Sequence, residues 1–101
     1  MRIITRRRLL EAAKRHPKTK PTLEHWHNVT RHARWQNLVE TRQTFAHADQ
    51  VLVGSRRVVT IFNITNGYRL ITAIHYNHRL VFILNFLTHA EYDRNDWKKH
   101  L

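Results

Sequence analysis

Three runs rich in β-branched and aromatic residues fill most of the second half of the chain, at residues 57–64, 68–76 and 79–87. Runs of this kind are typical of β-strands. The Asn66-Gly67 pair between the first two runs is the strongest short signal for a tight hairpin turn, and Asn77-His78 can form a second two-residue turn. The pattern predicts a three-stranded antiparallel meander, against which the rest of the chain must pack.

The first half of the chain is predicted to be mostly helical. Residues 6–16 carry apolar side chains at helical spacing and are followed by Pro17, which stops a helix. Thr22 suits the N-cap of a second helix whose apolar residues follow one stripe. Two helices joined by a short proline-bounded turn predict a helical hairpin.

Shorter elements complete the prediction. Residues 2–5 suit a short strand, residues 38–42 a further helical turn, and residues 45–53 a loop with an edge strand. We therefore expect an α+β fold, with one domain spanning residues 1–101. In it, the N-terminal helical hairpin packs on a small antiparallel β-sheet, and a short helical turn lies near the C-terminus.

Two-residue turns also predict which strand residues share a face. The expected core face carries Val58, Thr60, Phe62, Ile71, Ala73, Phe82, Leu84 and Phe86, with Arg69 and His75 near its margins. The opposite face is mixed in polarity, and its expected polar members are Arg57, Asn63, Thr72, Tyr76, Arg79 and Asn85. This mixed face is the better candidate for a nucleic-acid surface. A single bulge would move the side chains of one strand to the opposite face of the sheet.

The composition limits the class of protein. A chain of 101 residues with 42% hydrophobic content suits one folded domain with a modest core. It has no Cys, which excludes disulfides and thiolate metal sites. The N-terminus lacks the apolar stretch of a signal peptide, and no segment approaches the roughly 18 uninterrupted apolar residues of a membrane helix. We expect a cytoplasmic protein.

The chain is strongly basic, with 18 Lys and Arg against 7 Asp and Glu and a formal net charge of +11. A charge of this size bears on the partners of a protein. The candidate partners are nucleic acid, an anionic membrane surface and an acidic protein. The basic residues are spread along the chain without a separate amphipathic anchor, which argues against the membrane. Polyanion binding is favoured, with RNA as the natural candidate.

The last predicted strand runs directly into a cluster of acid–base groups at residues 88–93. If His89 begins a helical turn, Tyr92 and Asp93 share its face, and Glu91 points elsewhere. Histidine, tyrosine and carboxylate groups can move protons. Strand ends are where folds display chemistry, so this segment is the candidate catalytic centre.

The chemistry that fits these groups is metal-independent RNA cleavage. One group accepts the proton of the 2′-OH, a second protonates the leaving 5′-oxygen, and positive charge meets the charge that develops on the phosphate. Arginine supplies fixed, planar, bidentate charge. The arginines that the strands and their turns can provide are Arg56, Arg57, Arg69 and Arg79.

These residues also have a purely structural interpretation. His89 and Asp93 can cap and solubilise a C-terminal helix that continues through Trp97, and Tyr92 can be a core aromatic. Arg69 can be an ordinary solvated strand residue. On composition alone this interpretation is the stronger one.

Other groupings are weaker. The histidines at residues 25, 27 and 32 lack carboxylate or thiolate partners, so the surface of a helix is favoured over a metal site. Glu91, Asp93 and Asp96 are close in sequence, which rarely means convergence around magnesium. Base stacking is less expected than core packing for the aromatic residues Trp26, Trp35 and Tyr76.

Taken in order, several segments resemble the HigB family of bacterial toxins, within the RelE/ParE superfamily. Met1-Arg2-Ile3-Ile4 followed by a basic helix is similar to the family's opening, and Thr88-His89-Ala90-Glu91-Tyr92-Asp93 is similar to its ending. Phe62-Asn63-Ile64 followed by Asn66-Gly67-Tyr68-Arg69-Leu70 resembles its central hairpin. The resemblance spans nearly all of the chain. Relatives often carry Gly-Gly-Asn before Tyr-Arg-Leu, where this chain has Ile64-Thr65-Asn66-Gly67.

The resemblance implies a RelE-like fold and a toxin that cleaves mRNA, usually on the translating ribosome, with no metal or other cofactor. It implies neutralisation by a HigA-type antitoxin with a DNA-binding helix-turn-helix domain. Its catalytic candidates are Arg69 and His89 first, then Tyr92 and Asp93, with Glu91 and Asn63 behind them. In this scheme His89 is the acid or base, Arg69 stabilises the phosphate, and Tyr92 orients a base or shares proton transfer. The candidate RNA contacts are Arg56, Arg57, Asn63, Tyr76, Arg79 and Lys98.

A second class of function stays open, that of a non-catalytic binder. It includes a ParE-like inhibitor of a protein target such as gyrase and a basic RNA-binding module. The nuclease hypothesis predicts RNA cuts that depend on His89, whereas a binder makes no cuts even when ribosomes are present. The basic segment Arg6-Arg7-Arg8, with Lys18 and Lys20, serves either function by attracting polyanions.

Overall fold

The computed structural model describes residues 1–101, the whole chain. Its helices and strands are β1 (Arg2–Ile4), α1 (Arg6–Arg15), α2 (Lys20–His32), α3 (Leu38–Thr44), β2 (Asp49–Leu52), β3 (Val58–Ile64), β4 (Tyr68–His75), β5 (Leu80–Thr88) and α4 (His89–Asp93). Short 3-10 turns lie at Pro17–Thr19, Tyr76–His78 and Asp96–His100. The strands form one sheet in the order β1-β5-β4-β3-β2, in which only the β1–β5 pair is parallel.

The expected α+β class is confirmed, and β3, β4 and β5 are the predicted meander. The short strands expected near residues 2–5 and within residues 45–53 are also present, as β1 and β2. They extend the meander at its two edges, so the sheet has five strands and not three. The parallel pairing of β1 with β5 joins residues about 78 positions apart, which short-range sequence patterns do not report.

The helical hairpin forms as predicted, but its second helix begins earlier than expected. Pro17 lies just past α1, and α2 already starts at Lys20. Pro21 occupies the first turn of α2, where a missing N–H costs nothing. Thr22 therefore lies inside the helix, and its predicted N-cap role is wrong.

The β3–β4 turn is one residue longer than the sequence predicts. Ile64 pairs with Tyr68, which leaves three residues in the loop, with Thr65 at φ 51° and Gly67 at φ 102°. A change of one residue in register moves every side chain of a strand to the opposite face. The face assignment of β4 relative to β3 is therefore wrong.

The β4–β5 connection also differs from a two-residue turn. His75 pairs with Leu80, so four residues connect the strands, and a bulge opposite the Ile71–Thr72 step shifts the register again. The Arg8 guanidinium of α1 donates to the carbonyl oxygens of Ile83 (3.1 Å) and Leu84 (2.6 Å) at this bulge. The helical hairpin is thus tied to the irregular point of β5.

These shifts in strand register change which side chains face the helices. Phe62 and Phe86 face the helices as expected, in a core that also holds Trp26 and Trp35. The residues that were assigned to this face and lie on the other one are Ile71, Ala73, Phe82 and Leu84. Val58 shares the face of Thr60 and Phe62 as expected, but it is exposed. Arg69 and His75 also lie on the face away from the helices. Trp26 and Trp35 are buried, so they are unable to stack on bases.

The face away from the helices is not an open mixed surface. A second core lies there, formed by Val59, Ile61, Ile71 and Leu87. Trp97, from the C-terminal segment that follows α4 (residues 94–101), covers it. Of the polar residues predicted for the mixed face, Thr72 is fully buried on the helix side, where its hydroxyl donates to the Thr60 carbonyl oxygen at 2.9 Å. The polar groups of this face include Asn63 and Arg69 at one end of the strands and Asn85 within β5, opposite Ile71.

Candidate functional site

The candidate site lies at the end of the sheet where β3 stops, β4 begins and β5 runs into α4. Asn63 and Arg69 are cross-strand partners there. The backbone N–H of His89 donates to the Gly67 carbonyl oxygen at 2.6 Å, which attaches the start of α4 to the β3–β4 turn. Strand pairing and this hydrogen bond together bring His89 beside Arg69, a residue that is 20 positions away in sequence.

A capping box fixes the first turn of α4. The Glu91 backbone N–H donates to the Thr88 hydroxyl at 3.2 Å, and the Thr88 backbone N–H donates to the Glu91 carboxylate at 3.0 Å. The second of these bonds is the main reason that the pKa of Glu91 lies below its ordinary value. Glu91 is thus a helix-capping carboxylate that points away from Tyr92 and Asp93, as the helical spacing predicts.

Arg69, His89 and Asp93 form a chain of polar contacts. His89 Nε2 lies 3.0 Å from Asp93 Oδ2, and His89 Nδ1 lies 3.3 Å from Arg69 Nη2. Arg69 Nη1 also donates to the Tyr68 carbonyl oxygen at 2.9 Å. Because a guanidinium can only donate, Nδ1 must accept, and the proton of the neutral imidazole sits on Nε2, facing Asp93.

This chain of contacts is accessible to a large substrate. The side chains of His89 and Asp93 are 56% and 58% exposed. An exposed histidine–carboxylate pair adds little to stability. The pair therefore contributes little to the fold, and both side chains are open to solvent.

Tyr92 extends the site beneath Arg69. The Arg69 guanidinium carbon lies 5.8 Å from the centroid of the Tyr92 ring. Burial raises the pKa of the Tyr92 phenol, Asp49 and Asp93 raise it further, and Arg69 opposes them. The phenol therefore keeps its proton at neutral pH and is a proton donor.

The C-terminal segment holds Tyr92 in place. The helix α4 ends at Asp93, and Asn95 turns the chain with φ 64°, so the helix does not continue through Trp97. Trp97 stacks on Tyr92 with ring centroids 5.3 Å apart, and its Nε1–H donates to the Tyr92 carbonyl oxygen at 2.9 Å. Further along, the Gly54 backbone N–H donates to the Lys98 carbonyl oxygen. The segment thus spans from the site to the β2–β3 turn.

Most of the residues predicted to contact RNA lie away from this site. Arg56 and Arg57 are in the β2–β3 turn, beside the Lys98 backbone. Asn63 is next to Arg69, whereas the Arg57 end of β3 is about 20 Å away along the strand. The β3 and β4 strands are antiparallel, so the turn after β4 is also at that distant end.

Tyr76 and Arg79 lie in this distant β4–β5 turn. The Tyr76 hydroxyl is 2.9 Å from the Thr41 hydroxyl, and burial raises its pKa. Tyr76 therefore packs against α3, as expected for an aromatic residue of a small domain, and it lies far from the candidate site. Arg79 is exposed and has a left-handed backbone, with φ 56°.

Asp49 is a neighbour of the site that the sequence did not point to. It raises the pKa of Tyr92, and its carboxylate pairs with the Arg42 guanidinium at 3.2 Å. Asp49 begins β2, and it reaches the site only because β2 and β3 pair. No local motif marks such a residue, since the contact depends on the order of strands in the sheet.

The remaining groupings do not form sites. No group of three or more His, Asp or Glu side chains is placed to hold a metal ion. This applies to the histidines of α2 and to the carboxylates at residues 91, 93 and 96. None of the helices has the length and apolar character that crossing a membrane requires.

A mixed five-stranded sheet with a helical hairpin on one face is consistent with the RelE-like fold. The family model for the HigB toxin, described as the RelE-like toxic component of a toxin–antitoxin system, matches residues 19–95. The chain therefore belongs to the HigB toxin family. The comparison with curated proteins gives no match. Membership implies that an antitoxin is a partner of this protein.

The capping box gives a first prediction. Replacing Thr88 by alanine should destabilise α4 by about 1 kcal/mol, because the hydroxyl that accepts the Glu91 N–H is lost. Amide hydrogen exchange should then be faster across residues 89–93, while a Thr88→Ser control exchanges like the wild type. Folding lowers the pKa of Glu91. The stability that its carboxylate adds to the helix cap is therefore fully present above pH 4.5, the ordinary pKa of the group, and is lost as the pH falls through the lowered pKa. Unchanged exchange in the alanine variant would contradict the capping role.

Proposed function

We propose that this toxin is an mRNA interferase, an endoribonuclease that cuts mRNA by attack of the 2′-OH on the adjacent phosphate without a metal ion. The observation that carries the proposal is the exposed chain of contacts from Arg69 through His89 to Asp93, with a protonated Tyr92 beneath it. It combines fixed positive charge with two groups able to move protons. A net charge of +11 supplies the long-range attraction to RNA.

His89 is the general base in this proposal. A phosphate is a stronger partner for a guanidinium than a neutral imidazole is, so bound RNA draws Arg69 from Nδ1 of His89. The exposed Nδ1 then takes the 2′-OH proton as the bond between the 2′-oxygen and phosphorus forms. Asp93 accepts a hydrogen bond from the Nε2–H and stabilises the imidazolium that forms when Nδ1 takes the proton.

Tyr92 is the candidate general acid. Since its pKa is raised, it carries a proton that can pass to the 5′-oxygen as the bond between phosphorus and that oxygen breaks. Arg69 stabilises the negative charge that develops on the phosphate. The products are an RNA end with a 2′,3′-cyclic phosphate and an RNA end with a 5′-hydroxyl. Glu91 is not assigned to proton transfer, because the capping box engages its carboxylate.

The proposal includes dependence on the ribosome. The side chains of His89 and Asp93 are more than half exposed, so the protein alone provides few contacts that would hold a nucleotide in the geometry for attack. A ribosome can hold the mRNA, while basic residues far from the site contact ribosomal RNA. The residues suited to that contact are Arg56, Arg57 and Lys98. The proposal includes action in the cytoplasm and a HigA-type antitoxin as the partner that neutralises the toxin.

Replacing Arg69 by glutamine tests the proposal in a translation reaction programmed with a reporter mRNA. We expect the cleavage rate to fall by about 10²–10³-fold, because the charge that meets the phosphate is lost. Arg7→Gln is a matched control, since it removes the same charge from an exposed side chain of α1. Primer extension across the reporter measures the rate. Equal cleavage by the Arg69 and Arg7 variants would refute the role of Arg69.

The chemistry of the cut is tested separately. A reporter with a 2′-deoxynucleotide on the 5′ side of the cleaved bond should resist cleavage, and the new downstream ends should carry a 5′-hydroxyl. Downstream ends that carry a 5′-phosphate would show that water, and not the 2′-OH, is the nucleophile. Translation that stops without any cut in the reporter would favour a ParE-like inhibitor of a protein target.

A further inference from the structure

A groove of about 530 Å³ lies between α1 and α2, and every residue that lines it belongs to one of these two helices. None of the candidate catalytic residues is among them. The groove is therefore a surface separate from the site at the end of the sheet.

Part of the groove is apolar. Leu9 and Leu23 are buried at its floor, and the apolar side chains that a partner can reach are the half-buried Ala13 and Leu10, which is 58% exposed. A single exposed leucine is ordinary. An exposed leucine that continues an apolar groove with a polar rim is typical of a surface that binds another protein.

The rim of the groove is crowded with cations. It carries Arg6, Lys14, Lys20, Arg31 and His27, with Glu24 as the one acidic residue. Burial lowers the pKa of His27, and the nearby charges of Arg6 and Arg31 lower it further. A partner that brings carboxylates to this rim would relieve the repulsion between these groups.

We propose that the groove binds an amphipathic helix with acidic flanks that belongs to the antitoxin. Apolar residues at positions i, i+3, i+4 and i+7 of such a helix would cover Leu10, and its carboxylates would meet the basic rim. The helices α1 and α2 have 10 and 13 residues, so they are roughly 15 and 20 Å long and fit a partner helix of about three to four turns. The inference rests on the antitoxin partner and not on the nuclease chemistry.

RNA suits the groove less well than a helix does. A phosphate backbone would use the cations of the rim, but it would leave Leu10 without an apolar partner. A bound helix would cover Arg6, Lys14 and Arg31 and leave His89 uncovered. The antitoxin helix would therefore bind outside the catalytic site and would not fill it.

A synthetic peptide tests the groove. The probe is a fluorescein-labelled helix of about four turns with leucines at the stated spacing and glutamates elsewhere. A second peptide has the same composition in scrambled order, which keeps the charge and removes the apolar face. The protein variants are Leu10→Asp and the control Leu52→Asp, which changes the charge equally at a leucine that is 62% exposed on β2. Fluorescence anisotropy gives the affinities, and circular dichroism checks that both variants are folded.

We expect the wild type to bind the amphipathic peptide about tenfold more tightly than the scrambled one, and Leu10→Asp to remove this difference while Leu52→Asp retains it. Equal binding of the two peptides, or full binding by Leu10→Asp, would show that only net charge attracts them. If single-stranded RNA loses affinity on Leu10→Asp as strongly as the peptide does, the groove is a nucleic-acid site and the proposal is wrong. None of these measurements depends on cleavage, so their failure would leave the proposed nuclease activity untouched.

Discussion

Replacement of His89 by alanine is expected to lower the rate of mRNA cleavage by about 10²–10⁴-fold, the contribution of a positioned general base. The variant loses the group that bridges Arg69 and Asp93, while Arg69 remains to bind the phosphate. The effect should therefore fall on the rate of the chemical step under single-turnover conditions, with little effect on association with ribosomes.

The loss of cleavage should not come from unfolding. His89 is exposed, and its pair with Asp93 contributes at most about 1 kcal/mol to stability. His78→Ala is a matched control, because it removes another exposed histidine from the opposite end of the sheet. Cleavage at the same rate by the His89 and His78 variants would move the chemistry away from His89.

Replacement of Trp97 by alanine is expected to have the largest effect on stability near the site. Trp97 is buried in the second core with Val59, Ile61 and Ile71. Removing a buried indole costs about 3–5 kcal/mol, out of a total of about 5–15 kcal/mol for a domain of ordinary stability. Urea denaturation should show this as a lower midpoint with a similar slope.

The same variant should lose cleavage activity even where it stays folded, because Tyr92 stacks on Trp97. Trp97→Phe keeps an aromatic ring against Tyr92 and loses the hydrogen bond to the Tyr92 carbonyl oxygen, so we expect an intermediate stability and measurable cleavage. A denaturation midpoint of Trp97→Ala equal to that of the wild type would mean that the C-terminal segment does not cover the second core in solution.

Local patterns in the sequence predicted the elements that depend on local forces. The strand runs, the helical hairpin and the helical turn after Thr88 all follow from side-chain spacing over a few residues. The i,i+4 relation of His89 and Asp93 is of this kind, and the two side chains are in contact. This part of the site could be predicted because one short helix positions both residues.

The position of Arg69 could not be predicted in the same way. The Asn66-Gly67 pair predicts a two-residue turn, but Thr65 also takes a left-handed conformation and lengthens the loop to three residues. That one residue decides which face of the sheet Arg69 lies on. The bulge in β5 has the same effect on another strand, and the carbonyl oxygens there accept hydrogen bonds from Arg8, about 75 positions away in sequence.

Two further features depend on tertiary structure alone: the effect of Asp49 on the pKa of Tyr92 and the packing of Trp97 over the second core. Asp49 reaches Tyr92 through the order of strands, and Trp97 reaches the second core through a turn at Asn95. The sequence predicted an open face of mixed polarity where the structure has a second core under Trp97. The predicted RNA contacts lie at two separate ends of the sheet, because Asn63 lies near the end of β3 whereas Arg57, Tyr76 and Arg79 lie at the opposite end of the antiparallel strands.

Mapping of mRNA ends in cells tests whether this HigB-family toxin cuts mRNA at the Arg69–His89–Asp93 site. Wild type and His89→Ala are each expressed from an inducible promoter, and new mRNA 5′ ends are mapped across the transcriptome. We expect growth arrest with new 5′-hydroxyl ends inside translated codons for the wild type, and the loss of both for the variant. Growth arrest by the wild type without new ends would contradict the nuclease activity, and ends that persist in the variant would contradict the site.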